Sequence, residues 1–339
     1  MVVAQAVRNA WALTFGPGIA DPPSPEWEIL YDEPHRQLRR LSTEGAPVLL
    51  VPPLAVPARC FDFRPGESLA QFLVDHGFAT YLIDYGTMTA ADRDLGFEDW
   101  IDDILPAALM RVSAEHDGGP VHVVSWSLGG HFALLTAADH PELPIASVTA
   151  LGTPIDYTAN PLIAPFRIAS RLTGGREVDM MTGLFGGIPA PLVQASFRAV
   201  ALQRELTKPM FAMRNLTNTP ALARMQSVDR FIGAMPGYPA RLYRQVHHRF
   251  YLRNELVKGS VQLSADRVIE LSKVEVPVLL VGSRADTIAP AATVAHGVRP
   301  LVNADVRYVE VGGSSHLGLV ASPTAPTTIW PSVVEFLQN

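Results

Sequence analysis

Short apolar runs alternate along this chain with stretches whose apolar positions recur at helical spacing. Residues 46–51 (APVLLV) are apolar throughout and stop at Pro52-Pro53, as a strand buried on both faces would. Residues 68–76 follow as a helix with Leu69, Phe72, Leu73 and His76 on one side, and residues 79–83 are a second buried strand. A longer helix is expected over 97–115, where Trp100, Ile101, Ile104, Leu105, Ala108 and Leu109 fall at helical spacing. A third strand at 120–124 leads into a helix over 128–140. Further strands are expected at 145–151, 277–281 and 306–311, before a closing helix at 328–337. Residues 27–32 and 37–41 read as an antiparallel hairpin at the sheet edge. Continuous apolar strands alternating with helices predict the α/β class: a mostly parallel central sheet covered by helices on both faces.

The alternation stops between residues 155 and 266. A segment of that length is not one loop of a compact domain. It is rich in proline and glycine and holds six of the chain's nine methionines: Met180, Met181, Met210, Met213, Met225 and Met235. The expectation is a helical cap, or lid, inserted between two core strands. The core would then run over 1–154 and 267–339, with the cap over 155–266. Its methionines either fill gaps among cap helices or adapt to apolar ligands. The stretch 183–187, with three glycines, is a candidate hinge.

Composition narrows the possibilities. With 339 residues, 48% hydrophobic and 18% charged, the chain can bury a large core and is not a disordered one. A formal net charge of −6, with no basic stripe interleaved with aromatics, argues against a nucleic-acid partner. Cys60 is the sole cysteine, which excludes an intramolecular disulfide and a cysteine-based metal site. Neither metal nor cofactor is required by any motif. The apolar stretch at residues 10–15, after Arg8, is too short for a secretory signal and lacks a small-x-small cleavage site. No run of 18 apolar residues predicts a transmembrane segment, so a cytoplasmic location is the expectation.

Candidate chemistry begins at Ser125-Trp126-Ser127-Leu128-Gly129-Gly130, between the third strand and its helix. This approximates the G-x-S-x-G nucleophile elbow with Ser125 at the first glycine. Such a turn is sharp and strained, so the residues two before and two after must be small. Ser127 is then lifted clear, with the amide of Leu128 facing a developing oxyanion at the positive end of the helix. The blander reading is a glycine-rich turn with a capping serine. Ser125 is the rival nucleophile, but only Ser127 has small residues at both flanking positions.

A serine hydroxyl needs a positioned base, and in this kind of fold the acid and base follow the serine in the order Asp or Glu, then His. Asp286 comes just past the strand at 277–281, and His316 lies in Gly312-Gly313-Ser314-Ser315-His316 after the strand at 306–311. Asp305 precedes its strand and so falls at the wrong edge. No other histidine combines this chain order with this edge. The expected triad is Ser127, His316 and Asp286, the carboxylate fixing the imidazole tautomer. A second oxyanion donor is expected from residues 52–57, where Pro52, Pro53 and Pro57 have no N–H, leaving Leu54 or Ala55. Trp126, beside the nucleophile, is a candidate substrate contact.

The segments Val51-Pro52-Pro53, Phe61-Asp62-Phe63-Arg64-Pro65-Gly66-Glu67-Ser68-Leu69 and Gly77-Phe78 resemble the polyhydroxyalkanoate synthases. So do Tyr81-Leu82-Ile83-Asp84-Tyr85-Gly86, Leu95-Gly96-Phe97-Glu98-Asp99-Trp100, Phe250-Tyr251-Leu252-Arg253-Asn254 and Asp286-Thr287-Ile288-Ala289-Pro290. The resemblance spans about residues 45–320. It implies an α/β-hydrolase core with a cap, polymerisation of hydroxyacyl groups from coenzyme A thioesters, and often a homodimer. In that family the nucleophile is a cysteine in G-x-C-x-G, and glycine commonly precedes the catalytic histidine. This chain has Ser127, Ser125 and Ser315 at those positions.

An oxygen ester at Ser127, with His316 ready to activate water, favours hydrolysis over chain growth. The expected function is therefore a serine hydrolase acting on small-molecule or polymeric carboxylic esters with an apolar or hydroxyacyl group. The alternatives are a synthase-like acyltransferase using acyl-CoA, and a non-catalytic scaffold relative. Haloalkane dehalogenases and epoxide hydrolases use aspartate at the position of Ser127.

Overall fold

A computed structural model describes residues 2–19 and 26–339. An N-terminal helix, α1 (Val2–Thr14), precedes the hairpin strands β1 (Glu28–Tyr31) and β2 (Gln37–Arg40). Then come β3 (Ala46–Val51), α2 (Leu69–Asp75), β4 (Phe78–Asp84), α3 (Leu105–Glu115), β5 (Val121–Trp126), α4 (Leu128–Asp139) and β6 (Ile145–Leu151). A run of insertion helices follows: α5 (Ala164–Thr173), α6 (Arg176–Phe185), α7 (Ala190–Val200), α8 (Leu202–Arg214), α9 (Thr219–Gly233) and α10 (Ala240–Gln245). The chain closes with β7 (Val278–Ser283), α11 (Ala291–Ala295), β8 (Val306–Val311) and α12 (Trp330–Leu337).

The eight strands form one sheet in the order β1-β2-β4-β3-β5-β6-β7-β8. The pairs β1–β2 and β2–β4 are antiparallel, and the remaining pairs are parallel. Alternate side chains of each strand enter opposite cores. Leu49 and Val51 join Val123 and Leu280 on the face covered by α3 and α4, while Val48 and Leu50 join Val124 and Val281 under α2 and α12. This two-sided burial is why the strands read as unbroken apolar runs.

The expected helix over 97–115 is helical but not uniform. Residues Trp100–Ile104 form a wide π turn before α3, with Leu105 N–H bonding back to Trp100 O. Pro106 supplies the reason: it has no N–H for a regular bond, and the chain widens ahead of it. The closing helix begins at Trp330 rather than 328, with Pro331 in its first turn. Strand β5 runs on to Trp126, two residues beyond expectation, and so carries the chain up to the elbow. Helix α1 was not anticipated. It lies on the insertion, with Asn9 Nδ2 donating to Leu216 O (2.8 Å) and Thr219 Oγ1 (3.0 Å).

Two small antiparallel pairs also lay outside expectation. Gly187–Ile188 pairs with Tyr238–Pro239, and Ser260–Gln262 with Val268–Glu270. This pairing falls within the stretch read as a candidate hinge. Gly183 lies inside α6, and at Gly187 a Cβ would sit 2.0 Å from the Tyr238 carbonyl oxygen, so glycine is needed for close pairing. The second pair buries Val261 and Ile269 in the same cluster as Phe132 of α4.

Both ends of the helical insertion meet at one buried polar knot. Asn254, itself at φ +52°, accepts from Tyr157 N–H (2.9 Å) and donates to Asp156 Oδ1 (2.8 Å), while His296 Nδ1 lies 2.7 Å from Asp156 Oδ2. Although burial opposes ionisation, hydrogen bonds from Thr158, Asn254 and His296 hold the Asp156 carboxyl down at about 2. Asn254→Ala would leave the buried Tyr157 N–H without its acceptor and remove one donor from Asp156 Oδ1, which keeps those of Thr158. It should lower unfolding free energy by about 2–4 kcal/mol, measured as the shift in urea midpoint at constant slope.

Candidate active site

Ser127 occupies the turn between β5 and α4 with φ +53° and ψ −122°. A non-glycine residue in this region costs about 1–3 kcal/mol and persists only where its surroundings over-determine it. Here three contacts do so. Ser127 N–H donates to Leu151 O (2.9 Å), and its carbonyl accepts from Gly130 N–H (3.0 Å) and Thr153 Oγ1 (3.0 Å). The flanking glycines are spatially required. A Cβ at 129 would lie 2.3 Å from Val51 O, and one at 130 would lie 2.0 Å from Thr153 Oγ1.

Ser125 is fully buried and donates to Thr149 O (2.7 Å), bonding to the neighbouring strand. Its hydroxyl is thereby engaged away from the cavity, which explains why serine is accommodated where glycine was expected. Thr153 is a residue that sequence reasoning missed. It follows β6 by two positions, so its signal would have been a small polar residue at the strand's C-terminal edge.

Asp286 and His316 meet at that same edge. His316 Nδ1 lies 2.6 Å from Asp286 Oδ2, and the pair is buried, at 6% and 2% exposure. The other carboxylate oxygen accepts from Ile288 and Ala289 N–H, both at 2.8 Å. Facing a carboxylate, Nδ1 carries the proton, which leaves Nε2 as the acceptor. The loop bearing His316 is anchored by Ser283 Oγ donating to Ser314 O (2.6 Å), and the imidazole packs against Trp126 at 5.0 Å between ring centroids. Ser315 Oγ accepts from Gly318 N–H (3.2 Å), capping the turn after the histidine. Asp305 is exposed at the opposite edge, where its carbonyl accepts from Val278 N–H.

Ser127, His316, Trp126, Leu128 and Leu54 all line one cavity of about 450 Å³. In this conformation Ser127 Oγ and His316 Nε2 are not hydrogen-bonded to each other. Of the two expected loop donors, Leu54 lines the cavity, while Ala55 is buried at φ +58° and does not. Neither amide donates within the protein among the described residues.

Among the described residues, none of those lining the cavity is Asp, Glu, Lys or Arg. Its polar groups include four tyrosines, Tyr157, Tyr238, Tyr243 and Tyr251, whose phenols are all pushed up by burial and so stay neutral donors. Half of the chain's eight tyrosines gather here. Their crowding at 238–251 was the available signal. Of the six insertion methionines only Met181 lines the cavity, whereas Met180, Met210 and Met213 are exposed and Met235 is buried in the core.

Residues 48–327 match the sequence model of the alpha/beta hydrolase family. The chain is 25% identical over 298 residues to the poly(3-hydroxyalkanoate) polymerase subunit PhaC of Synechocystis sp., covering 86% of this chain and 78% of that protein. It is 23% identical to the same-named protein of Thiocystis violacea, covering 92% and 88%. Among solved structures it is similar to mouse alpha/beta hydrolase domain-containing protein 10, with a TM-score of 0.53, 16% identity, and coverage of 92% of this chain and 97% of that one. That likeness is one of fold.

Behind the elbow, His131 of α4 is fully buried between Tyr157 and Phe250, and its Nε2 donates to Pro154 O (2.7 Å). Burial pushes its imidazole down to about 4. Between about pH 6.5 and pH 4 the unfolded chain binds a proton there that the folded chain refuses, so acidification removes stability. The loss should reach about 3 kcal/mol across that window. Urea unfolding at a series of pH values checks it, and His131→Gln should flatten the slope.

Proposed function

Because the chain belongs to the alpha/beta hydrolase family, we propose that it is a serine hydrolase that cleaves carboxylic esters through an acyl-enzyme. The observation carrying this reading is the buried Asp286–His316 pair, which faces the cavity that also contains Ser127 in its strained turn. In the proposed cycle Nε2 of His316 takes the Ser127 proton as Oγ attacks the ester carbonyl. A side-chain rotation of Ser127 brings Oγ to the imidazole, since such contacts often tighten only with substrate in place. The developing oxyanion is held by the Leu128 amide at the start of α4 and by an amide of the 54–55 loop. His316 then protonates the leaving alcohol and activates water for the second step, while Asp286 stabilises its cation.

The cavity supports an uncharged acyl group. Apolar walls take its carbon chain, and the neutral phenols can donate to a hydroxyl or a second ester oxygen, as in a hydroxyacyl unit or a polymeric ester. Trp126 serves chiefly as a wall for the imidazole and for the substrate beside it. Residues 155–266 are taken as a cap over this cavity, between core parts 1–154 and 267–339.

The names of the PhaC relatives favour a second reading, in which acyl groups pass from an acyl-CoA to a growing chain. The serine oxygen weighs toward hydrolysis, because its ester is less activated than a thioester. Ser127→Ala should lower hydrolysis of p-nitrophenyl butyrate by at least about 10⁴-fold, and Asp286→Asn by about 10²–10⁴-fold, with melting transitions preserved. Retained turnover, or failure of a fluorophosphonate to label Ser127, would remove the assignment. With 3-hydroxybutyryl-CoA, free acid released in step with coenzyme A supports the hydrolase, and polymer supports the transferase. Esters of dicarboxylic acids should be poor substrates, seen as a raised KM, because nothing in the cavity pairs with the second carboxylate.

A further inference from the structure

The insertion differs from the rest of the chain in charge. Residues 164–253 contain 13 Lys and Arg against 4 Asp and Glu, leaving 14 against 29 elsewhere. Arg171, Arg176, Arg198 and Arg214 are exposed and, among the described residues, make no ion pair. The acidic net charge of the whole chain hides this basic surface.

The same region displays apolar stripes at helical spacing. On α8, Leu202, Leu206, Met210 and Met213 are 56%, 72%, 47% and 60% exposed. No residue of this 13-residue helix is buried, and Pro209 interrupts its interior. Such a helix is marginal in water without a surface to pack on. On α1, Val3, Val7 and Trp11 form a second stripe, with Phe15 just beyond, all at least 60% exposed. The opposite faces of both helices meet one small cluster, where Ala12, Leu13 and Ala212 pack against Ile19, Leu222 and Ala223. The two stripes are therefore turned away from their common support.

The exposed apolar surface continues to the cavity. Leu162, Leu192 and Val200 are each more than 40% exposed and also line it, and Val200 stands two residues before the α8 stripe begins.

We propose that α1, α8 and the cavity mouth dock on the surface of an anionic lipid layer. Val3, Val7, Trp11, Leu206 and Met213 would enter the acyl region while the unpaired arginines meet headgroup phosphates. The two stripe-bearing helices are themselves basic, with Arg8, Arg204, Lys208 and Arg214 against Glu205 alone, so a symmetric contact with a second copy sets like charge against like. A lipid layer supplies both an apolar phase for the stripes and the opposite charge. It also places the cavity mouth where a water-insoluble ester resides. Among the described residues no helix is long and apolar enough to cross a membrane, so the contact is one of lying on the layer.

The test is flotation of the full-length protein with vesicles of phosphatidylcholine alone or with about one-fifth phosphatidylglycerol. Co-flotation with the anionic vesicles, at least about ten-fold weaker in roughly 0.5 M salt, supports the proposal. Trp11 is a native reporter, because Trp100, Trp126 and Trp330 are buried and Trp27 is half-buried, its Nε1 bonded to Asp62. Its emission should shift to the blue and be quenched by brominated lipid, a response absent in Trp11→Phe. The pair Leu206→Glu with Met213→Glu, and separately Val3→Glu with Val7→Glu, should each weaken binding by at least about ten-fold with circular dichroism unchanged. Ser127→Ala should bind vesicles as the parent does, which separates this outcome from that of the catalytic reading. Absence of flotation, equal binding to neutral vesicles, or binding insensitive to both pairs would overturn the proposal. So would a lipid-free dimer that dissociates on Leu206→Glu with Met213→Glu, because the face would then belong to a second copy.

Discussion

The backbone at Ser127 holds its positive-φ conformation where α4 packs hard against the end of β3 and three hydrogen bonds pin the turn. Gly129 brings the helix so close to the Val51 carbonyl that a single added methyl would collide with it. The bonds from Gly130 and Thr153 to the Ser127 carbonyl then fix the turn from the other side. Strain of about 1–3 kcal/mol is stored there, and its consequence is geometric. The serine side chain projects from the C-terminal edge of the sheet, and the first amides of α4 point outward beside it.

Everything else at the site converges on that edge because parallel strands end together. The loop after β3 brings Leu54, the loop after β7 brings Asp286, and the loop after β8 brings His316. Each loop is held by few bonds. Asp286 is clamped by two backbone amides, and the His316 loop is tied by Ser283. Tyrosines and aliphatic side chains of the insertion line the cavity at that edge. The knot of Asp156, Asn254 and His296 fastens the insertion's return to the core. The product is a cavity with no Asp, Glu, Lys or Arg among the described residues that line it.

Much of this was legible in the residues. The buried strands could be read because both faces are covered, so hydrophobicity is continuous. The elbow could be read because its steric demand acts on neighbours in sequence, and Asp286 and His316 because chain order and strand ends place them. Three features were not legible. Pro106 lies within an apolar helical pattern, and the pattern concealed the wide turn it forces. Helix α1 gains its support from residues some 200 positions away, through Leu216 and Thr219. The basic, apolar insertion surface is masked by an acidic total.

By itself the sequence determined the class of sheet, the position of the strained turn at Ser127 and the strand ends that carry Asp286 and His316. These follow from local sterics and from burial patterns that repeat every two or three to four residues. Tertiary structure alone decided which serine faces the cavity, that Ala55 turns inward while Leu54 lines the wall, and that four tyrosines form one neutral surface. It also decided which insertion side chains stay uncovered. Those outcomes depend on contacts between segments far apart in the chain, whose energies no local pattern of residues records.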